Sequence, residues 1–411
     1  MKNTIKQGAV LALIAIPLLS GCGNTSTGIT LTVWEDQSNI ETLQALGDDF
    51  IKSYKKTYPS APAITIDWVE QAEASAVEKL VTVASTGNGP DVLAVTHDTI
   101  ITAANSGVIA PASFQADMEK IMSDDALLAC STISSNGNAT LYGYPITAES
   151  QTVIYDKTKV TVEELSSFES LKASGKKIAM NATDDGSGYY MFGLLNDSVL
   201  FGEDGTSVAS VNLQTSQAVA NIVSFYNDYS SSVLNLKPED ALSSLVSGDV
   251  VGLATAPFMY SSVVAALGED KVGIAKLPMI NGKDERPFSG YKAYCVNSYS
   301  PNPSLAQELA KYLTSADAQW TRLDEKHYYP SLDASAFTSD ITETIASSEA
   351  DQVFGSALSA SKRMPSIARM ANYWSPAQSM FTSFWSDHRG SMTPEIAKAG
   401  LSAVEAKLQS A

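Results

Sequence analysis

Aromatic side chains recur where the expected strands and helices end. The nine positions are Trp34, Tyr142, Tyr144, Tyr189, Tyr190, Phe258, Tyr260, Tyr373 and Trp374. Strand ends that face a crevice are where open α/β sheets bind ligands. An aromatic ring stacks against the C–H face of a sugar, and carboxylates and amides hydrogen-bond its hydroxyls. Core packing explains any single ring better, but their shared placement favours a binding site.

Residues that could support other chemistry lack the required spacing. The histidines are His97, His327 and His388, and no H-E-x-x-H, C-x-x-C, EF-hand, Walker, dinucleotide-glycine or G-x-S-x-G pattern occurs. The sequence therefore predicts no metal and no cofactor. The run Asp184-Asp185-Gly186-Ser187-Gly188 looks like a metal or phosphate loop, but a tight turn is the better interpretation. A glycosidase stays open, because its paired carboxylates have no sequence signature.

The elements that would position these residues alternate between strand and helix. Apolar alternation predicts strands at 29–34 and 64–68, and helical spacing predicts helices between them and before the apolar strand 92–95. This β-α-β-α-β opening is typical of a parallel sheet covered by helices. The same style continues, with strands at 153–155, 177–180, 250–255 and 272–277 and helices at 238–248, 303–315 and 393–409. A chain of 411 residues predicts two α/β lobes.

The N-terminus is typical of an exported protein. Lys2 and Lys6 precede an apolar stretch, 9–19, which is too short to span a bilayer. Leu19-Ser20-Gly21-Cys22 resembles a bacterial lipobox, which implies cleavage before Cys22 and acylation of its sulfur. We therefore predict a signal peptide over 1–21 and a lipid-anchored polar tether over 22–28. The alternative is an ordinary signal peptide followed by a chance cysteine.

The charge balance excludes one class of partner. The chain carries 27 basic and 45 acidic residues, a formal net charge of −18. No basic excess exists to neutralise phosphates, so general nucleic-acid binding is not expected. Cys130 and Cys295 remain after cleavage, and they could pair or lie buried as small apolar side chains. We favour the unpaired state.

Ordered residue blocks carry a resemblance to a known family. Thr86-Gly87-Asn88-Gly89-Pro90-Asp91-Val92, which must end a helix and enter a strand, resembles the signature of family 1 extracellular solute-binding proteins. Further blocks are similar to the maltose/maltodextrin-binding proteins of ABC importers. They are Trp34, Thr96–Asp98, Tyr144–Glu149 with Val153–Lys157, Ala256–Tyr260, Pro287–Gly290 and Met364–Met370 with Tyr373-Trp374.

The resemblance implies a two-lobed, periplasmic-binding-protein-like α/β fold of type II with a ligand cleft between lobes joined by a hinge. It places the N-terminal lobe at 29–147 plus 292–342 and the C-terminal lobe at 148–291 plus 343–411. The implied ligand is an oligosaccharide, an α-glucan in first place, and the implied partners are the permease subunits of an ABC importer. A monomer at the extracellular face of the membrane is expected, without catalysis.

The resemblance also implies the ligand-binding residues. They are Asp36, Asp98, Glu149, Tyr189, Phe258, Met364, Trp374 and Gln378. Asp98 and Glu149 would accept hydrogen bonds from sugar hydroxyls, whereas the three aromatic rings would stack on successive sugar rings. The alternative for Asp98 is a helix N-cap before Ile100, and the alternative for Glu149 is an exposed hinge carboxylate.

Several polar positions depart from the family pattern. Val95 stands where the family has an aromatic residue, Thr99 where it has a basic residue and Gln378 where it has an arginine. Ser38-Asn39 replaces the acid–lysine pair of the family, and Asp36 is the candidate substitute for the acid of that pair. The stacking residues are thus better kept than the polar ones, so another oligosaccharide or a non-sugar solute is an alternative ligand. A surface glycoside hydrolase is the remote alternative.

Overall fold

The computed structural model describes residues 28–133, 138–202 and 205–410. The predicted signal peptide and Cys22 therefore lie outside the described residues. The strands are β1 (Ile29–Glu35), β2 (Ile64–Glu70), β3 (Val92–Thr96), β4 (Ile109–Ala110), β5 (Ser131–Ile133), β6 (Ala139–Leu141), β7 (Gly143–Ser150), β8 (Thr152–Asp156), β9 (Ile178–Met180), β10 (Val199–Leu200), β11 (Val211–Asn212), β12 (Val233–Asn235), β13 (Gly252–Thr255), β14 (Val272–Ala275), β15 (Phe288–Asn297) and β16 (Lys362–Arg363).

The helices alternate with these strands. They are α1 (Gln37–Thr57), α2 (Glu73–Val83), α3 (Ile100–Asn105), α4 (Gln115–Met118), α5 (Asp124–Ala129), α6 (Phe168–Ser174), α7 (Ser187–Tyr190), α8 (Ser216–Ser224), α9 (Pro238–Ser247), α10 (Tyr260–Leu267), α11 (Pro303–Tyr312), α12 (Ala316–Lys326), α13 (Ser339–Ser347), α14 (Glu349–Ala360), α15 (Ala371–Asp387) and α16 (Pro394–Gln409). Short 3₁₀ turns cover Ala84–Thr86, His97–Thr99, Phe192–Leu195, Ser230–Ser232, Pro257–Met259, Glu269–Lys271, Ala334–Ala336 and Ala368–Met370, and Phe225–Tyr229 is a π-helical turn.

Local sequence signals account for many of these element ends. Helix α9 begins with Pro238 at its first position and ends at Gly248, whose φ of 89° suits a glycine C-cap. Thr393 caps α16 by accepting a hydrogen bond from the Ile396 amide. After α2, Gly87 adopts a φ of 76° and allows the chain to turn towards β3. The predicted β-α-β-α-β opening is confirmed.

Two mixed sheets form the centres of the two lobes. The first has the order β16-β15-β3-β1-β2, with β4 and β7 also paired to β15, and β1 runs parallel to β2 and β3. The second has the order β12-β9-β13-β8-β14, in which β9 is parallel to both neighbours and β8 antiparallel to both of its own. Small pairs β5-β6 and β10-β11 lie outside these sheets.

Separate apolar cores support the two lobes. The first core draws its buried residues from 31–148 and 291–341. Two further clusters take theirs from 153–288 and 350–408. The chain thus passes from one core to the other at three places. The predicted two-lobed α/β fold is confirmed.

Strands β7 and β15 connect the lobes as an antiparallel pair. Ser289 lies opposite Ser150, Gly290 opposite Glu149 and Tyr291 opposite Ala148. The register then shifts between Lys292 and Ala293, because β7 contains one extra residue there. Such bulges redirect neighbouring side chains and are frequent next to functional sites.

The described residues contain neither a candidate membrane-spanning helix nor a disulfide between Cys130 and Cys295. Between residues 28 and 410, apart from the two internal gaps, no helix is long and apolar enough to cross a membrane. Cys130 and Cys295 are both buried and free, as favoured from the sequence. Burial raises the pKa of each thiol, so both behave as small apolar side chains.

Phe288 packs at the start of β15 between several aromatic rings. Its ring centroid lies 3.6 Å from that of Phe192 at an interplanar angle of 11°, and it is fully buried. We expect Phe288→Ala to lower the free energy of unfolding by about 3–5 kcal/mol, because it leaves a cavity in the second lobe. Urea unfolding measures this change.

Tyr299→Ala is the control, since Tyr299 is 53% exposed. Surface substitutions of this kind change stability by about 0.5 kcal/mol or less. Equal unfolding midpoints for the two variants would show that the Phe288 ring does not carry the packing assigned to it.

Candidate functional site

A cavity of about 530 Å³ lies between the two lobes. Its lining residues are Ala74, Thr96, His97, Asp98, Glu149, Asp185, Gly186, Gly188, Tyr189, Tyr190, Phe258, Gly290, Tyr291, Met364, Trp374 and Gln378. Seven of the eight ligand-binding residues expected from the sequence are in this set, and Asp36 is not. The volume falls within the roughly 300–1,000 Å³ of small-molecule sites.

Asp36 lies at the beginning of α1 instead. Its carboxylate accepts hydrogen bonds from the Ser38 amide at 3.0 Å and from the Ser38 hydroxyl at 2.7 Å. These contacts satisfy free amides of the helix terminus, as expected of an N-cap aspartate. The structure therefore gives Asp36 a local structural task and does not bring it to the cavity wall.

Asp98 reaches the cavity from the first lobe. It lies in the 3₁₀ turn that follows β3, and neither this turn nor α3 has a side-chain cap. The alternative of an N-cap before Ile100 therefore finds no support. The neighbouring His97 is buried, and its Nδ1 accepts a hydrogen bond from the Tyr291 amide at 3.1 Å. Burial lowers the pKa of His97 and keeps its ring neutral.

Glu149 reaches the cavity from β7, opposite Gly290. The carboxyl group of Glu149 lies close to Gly290: a Cβ atom at residue 290 would be in ordinary van der Waals contact with it, 3.6 Å from Glu149 Oε1. Burial raises the pKa of Glu149, Lys292 opposes this effect, and Glu73 adds to it. Glu149 is half-buried rather than an exposed hinge carboxylate.

The aromatic wall comes from the second lobe. Tyr189 is in α7, Trp374 in α15 and Phe258 in the 3₁₀ turn after β13. Helices α7 and α15 are held together by the Tyr373 hydroxyl, which donates to the Gly188 carbonyl at 2.9 Å. Gly188 allows this approach, since a Cβ there would lie 3.3 Å from both Tyr373 and Ala377.

Phe288 supports two of these rings from behind. Its centroid lies 6.5 Å from that of Tyr189 and 6.3 Å from that of Trp374. The Tyr189 hydroxyl is buried and forms no hydrogen bond with the described residues. Burial raises the pKa of Tyr189 well above its usual value, so the hydroxyl keeps its proton and can donate.

The remaining expected residues complete the wall. Met364 is buried, and Gln378 Nε2 makes a long contact of 3.5 Å to the Thr183 carbonyl. The Asp184–Ser187 segment is a tight turn, closed by the Ser187 amide donating to the Asp184 carbonyl at 2.9 Å. The tight-turn interpretation of this run is therefore confirmed, and Asp185 alone of the two aspartates lines the cavity.

The nine aromatic residues singled out in the sequence fall into two groups, those that line the cavity and those that pack in the cores. Tyr189, Tyr190, Phe258 and Trp374 line the cavity. Trp34, Tyr144, Tyr260 and Tyr373 are buried in the cores, and Tyr142 packs against the first core. Among the lining residues, the sequence argument did not assign Tyr190, Tyr291 or His97 to the site. The sequence signals for them were the place of Tyr190 in the aromatic pattern, that of His97 in the Thr96–Asp98 block, and the adjacency of Tyr291 to Gly290.

Comparison with known proteins decides the family. A model of bacterial extracellular solute-binding proteins matches residues 49–348. The chain belongs to this family. The galactooligosaccharide-binding protein of Bacillus subtilis (strain 168) is 27% identical over 410 residues, which cover 92% of each chain. The maltooligosaccharide ABC transporter solute-binding lipoprotein of Streptococcus pneumoniae (strain R6) is 22% identical over 401 residues, 92% of this chain and 91% of that one.

A solved structure supports the fold of this solute-binding protein. The maltodextrin-binding protein MalE1 from L. casei BL23, without ligand, has a TM-score of 0.76 at 20% identity. The match covers 93% of this chain and 100% of that one. The family resemblance and the two-lobed fold expected from the sequence are both confirmed. Across the described ranges, no group of three or more histidine, cysteine, aspartate or glutamate side chains could hold a metal ion.

The two tyrosine hydroxyls at the aromatic wall of this solute-binding protein should respond differently to removal. We expect Tyr189→Phe to leave the free energy of unfolding unchanged or raised, because a buried hydroxyl without a partner costs about 1–3 kcal/mol. Tyr373→Phe should lower it by about 1 kcal/mol, because a hydrogen bond to Gly188 is lost. Urea unfolding of both variants measures the difference. A larger loss for Tyr189→Phe would mean that its hydroxyl has a structural partner.

Proposed function

We propose that this chain binds an oligosaccharide in the interlobe cavity and delivers it to the permease of an ABC importer. One observation carries the proposal: aromatic rings of one lobe face carboxylates placed by the other lobe and by the hinge, around a single cavity. An oligosaccharide has apolar ring faces and polar rims, and it needs both kinds of contact together.

The roles of the residues follow from their chemistry. Tyr189, Phe258 and Trp374 provide stacking surfaces, and Asp98 and Glu149 accept hydrogen bonds from hydroxyl groups. Hydrogen bonds to charged acceptors contribute about 1.5–3 kcal/mol each when water is excluded. Met364 and Gln378 complete the wall. Asp36 belongs to this set only if the lobes move relative to each other on binding.

The ligand class has two candidates. We propose malto-oligosaccharides first, because the residue blocks quoted above are similar to those of maltodextrin-binding proteins. Galacto-oligosaccharides are the second candidate, because the relative that is 27% identical carries that specificity in its name. The missing basic residues at Thr99 and Gln378 favour a ligand bound more by stacking than by charged groups. Glucose and galactose differ in the orientation of one ring hydroxyl, so stacking by itself does not distinguish them.

Binding and delivery depend on the arrangement of lobes. We propose that the lobes, at 29–147 plus 292–342 and 148–291 plus 343–411, close around the sugar. A ligand that contacts both lobes stabilises the closed form, since it makes all its contacts only there. The permease would then recognise the closed shape of a monomer, and no chemical step would follow.

Calorimetric titration tests the ligand. We expect the chain from Asn24 onward to bind maltotriose and a longer maltodextrin, and to bind glucose weakly because a single ring meets fewer stacking surfaces. A galacto-oligosaccharide is titrated in parallel. A higher affinity for the galacto-oligosaccharide would favour the second candidate over the first. If no sugar gives a measurable heat of binding, oligosaccharide binding is contradicted. Shorter products after prolonged incubation would indicate a hydrolase instead.

Two variants make the titration specific to the cavity. Trp374→Ala should weaken binding at least tenfold, which corresponds to about 1.4 kcal/mol, because one stacking surface is lost. Tyr58→Ala, at a tyrosine that is 46% exposed and outside the cavity, should leave the affinity unchanged. Equal affinities of the two variants would remove Trp374 from the binding site.

We further propose that Cys22 carries a lipid anchor at the extracellular face of the cell membrane. Two or more acyl chains hold a protein at a bilayer stably, whereas one does so only marginally. In a bacterial expression host, the chain should fractionate with membranes, and Cys22→Ala should be released. Cys130→Ala is the matched control and should stay with the membranes, because Cys130 is buried. Release of neither variant would place the anchor elsewhere.

A further inference from the structure

Strand register brings a buried lysine next to the cavity glutamate. Glu149 on β7 lies opposite Gly290 on β15, and Lys292 is two residues further along β15, opposite Thr147. Residues two apart on a strand share a face of the sheet, so Lys292 is the diagonal neighbour of Glu149. Diagonal neighbours are within reach of long side chains. Gly290 contributes no side chain that could separate them.

Lys292 forms an ion pair with Glu73, which does not line the cavity. Lys292 Nζ lies 2.7 Å from Glu73 Oε2, and the side chains of Lys292 and Glu73 are only 12% and 9% exposed. Glu73 is the first residue of α2, where the next residue, Ala74, lines the cavity. Lys292 Nζ also lies 5.2 Å from the ring centroid of Tyr328. Lys292 thus forms an ion pair with Glu73 and lies diagonal to Glu149 on the neighbouring strand, and of the two carboxylates only Glu149 lines the cavity.

The charges around Glu149 come from several elements. Titratable groups that line the cavity or lie on elements packed against β7 are on β15 (Tyr291, Lys292), the turn after β3 (His97, Asp98), α2 (Glu73), the turn before α7 (Asp185), α7 (Tyr189, Tyr190), the segment after α12 (His327, Tyr328, Tyr329), α14 (Asp351) and α5 (Asp125). Asp351 is paired with His327 Nδ1 at 2.9 Å, and Asp125 lies 3.4 Å from the Arg363 guanidinium. Burial raises the pKa of Tyr189, Tyr190 and Tyr328, so these hydroxyls stay neutral. Besides burial, Lys292 lowers the pKa of Glu149 and Glu73 raises it.

We propose that Lys292 is a counterion shared by Glu73 and Glu149, and that this buried trio sets the charge of Glu149 and with it the affinity for oligosaccharide. The inference rests on the proposed function, in which Glu149 accepts hydrogen bonds from the ligand. Lys292 and Glu73 are positioning residues: neither touches the sugar in this scheme. Glu73 competes with Glu149 for the one positive charge, so the two residues of the ion pair act on Glu149 in opposite directions.

The sign of the pH effect follows from the charges. Burial raises the pKa of Glu149 above its ordinary value of 4.5, so acidification protonates it earlier than an exposed glutamate. A protonated carboxyl group is a weaker acceptor, and affinity should fall as the pH falls through that pKa. Burial lowers the pKa of Lys292, but Glu73 and Glu149 outweigh it and raise it well above the usual range. Lys292 therefore stays charged throughout.

Two readouts on the intact chain test the proposal. The first is the carboxyl carbon resonance of Glu149, assigned with Glu149→Gln and followed by NMR against pH without ligand. In Glu73→Gln the midpoint of the Glu149 titration should move to lower pH, because Glu149 is then the only carboxylate of the trio that interacts with the positive charge of Lys292. In Lys292→Met it should move to higher pH. Unmoved midpoints in both variants would overturn the proposal, whether or not any sugar binds.

The second readout is maltotriose affinity at pH 7 and pH 5. We expect the wild type to lose affinity on acidification, and Glu73→Gln to lose at least about threefold less, since half a pH unit corresponds to a roughly threefold change. A purely structural role for Glu73 would lower affinity equally at both values. If maltotriose does not bind the wild type at all, the proposed ligand fails, while the NMR readout still decides this inference.

Two further variants control for a failure to fold and for titration of a second acid. Lys292→Met leaves Glu73 buried without a partner, which destabilises the folded protein, so the double variant Glu73→Gln/Lys292→Met serves if the single one does not fold. Its Glu149 midpoint should lie above that of Glu73→Gln, and a midpoint at or below it would count against Lys292. Glu35→Gln controls for a second acid: burial, reinforced by Glu73, raises the pKa of Glu35 to about 7. A pH response that vanishes in Glu35→Gln would belong to Glu35 and contradict the proposal.

Discussion

The antiparallel pairing of β7 with β15 is the contact on which the cavity depends. These strands cross between the lobes, and their register puts Gly290 opposite Glu149. Phe288, at one end of β15, belongs to the core of the second lobe, whereas Tyr291 and the residues after it belong to the core of the first. A slip of one residue would turn every side chain of the crossing to the other face of the sheet. The floor of the cavity is therefore fixed by the same hydrogen bonds that join the lobes.

The two sides of the cavity are built by different physical means. On the second lobe, fully buried Phe288 and Phe192 stack at 3.6 Å and give Tyr189 and Trp374 a rigid apolar support. A rigid ring loses little entropy when a ligand stacks on it. On the other side, the groups are polar, and the buried ion pair of Lys292 with Glu73 lies next to Glu149 in the strand register. The aromatic side suits apolar sugar faces, and the acidic side can discriminate among hydroxyl patterns.

The polar groups behind the cavity form two buried clusters, one around Glu35 and one formed by Glu73 and Lys292. The Tyr294 hydroxyl donates to Glu35 at 2.5 Å and accepts from Arg322 at 3.2 Å, and Glu35 also accepts from Asn39. Glu35 and Glu73 influence each other, and Glu73 in turn contacts Lys292. Partners in a low-dielectric interior interact more strongly than on the surface, and an unpaired member is costly. The first cluster lies at the end of β1, and the second lies beside the cavity.

Short-range patterns in the sequence determined the elements and most of the candidate site. Apolar periodicity, Pro238, Gly248 and the Thr393 cap act within a few residues, so they can be read without knowing the fold. Asp98, Glu149 and Trp374 were implied by short residue blocks that resemble those of maltodextrin-binding proteins, and all three line the cavity. The tertiary structure alone decided that Asp36 does not reach the cavity, that Tyr373 and Tyr144 are core residues, and that Glu73 meets Lys292. Those outcomes depend on packing and pairing between segments far apart in the chain, which local periodicity does not encode.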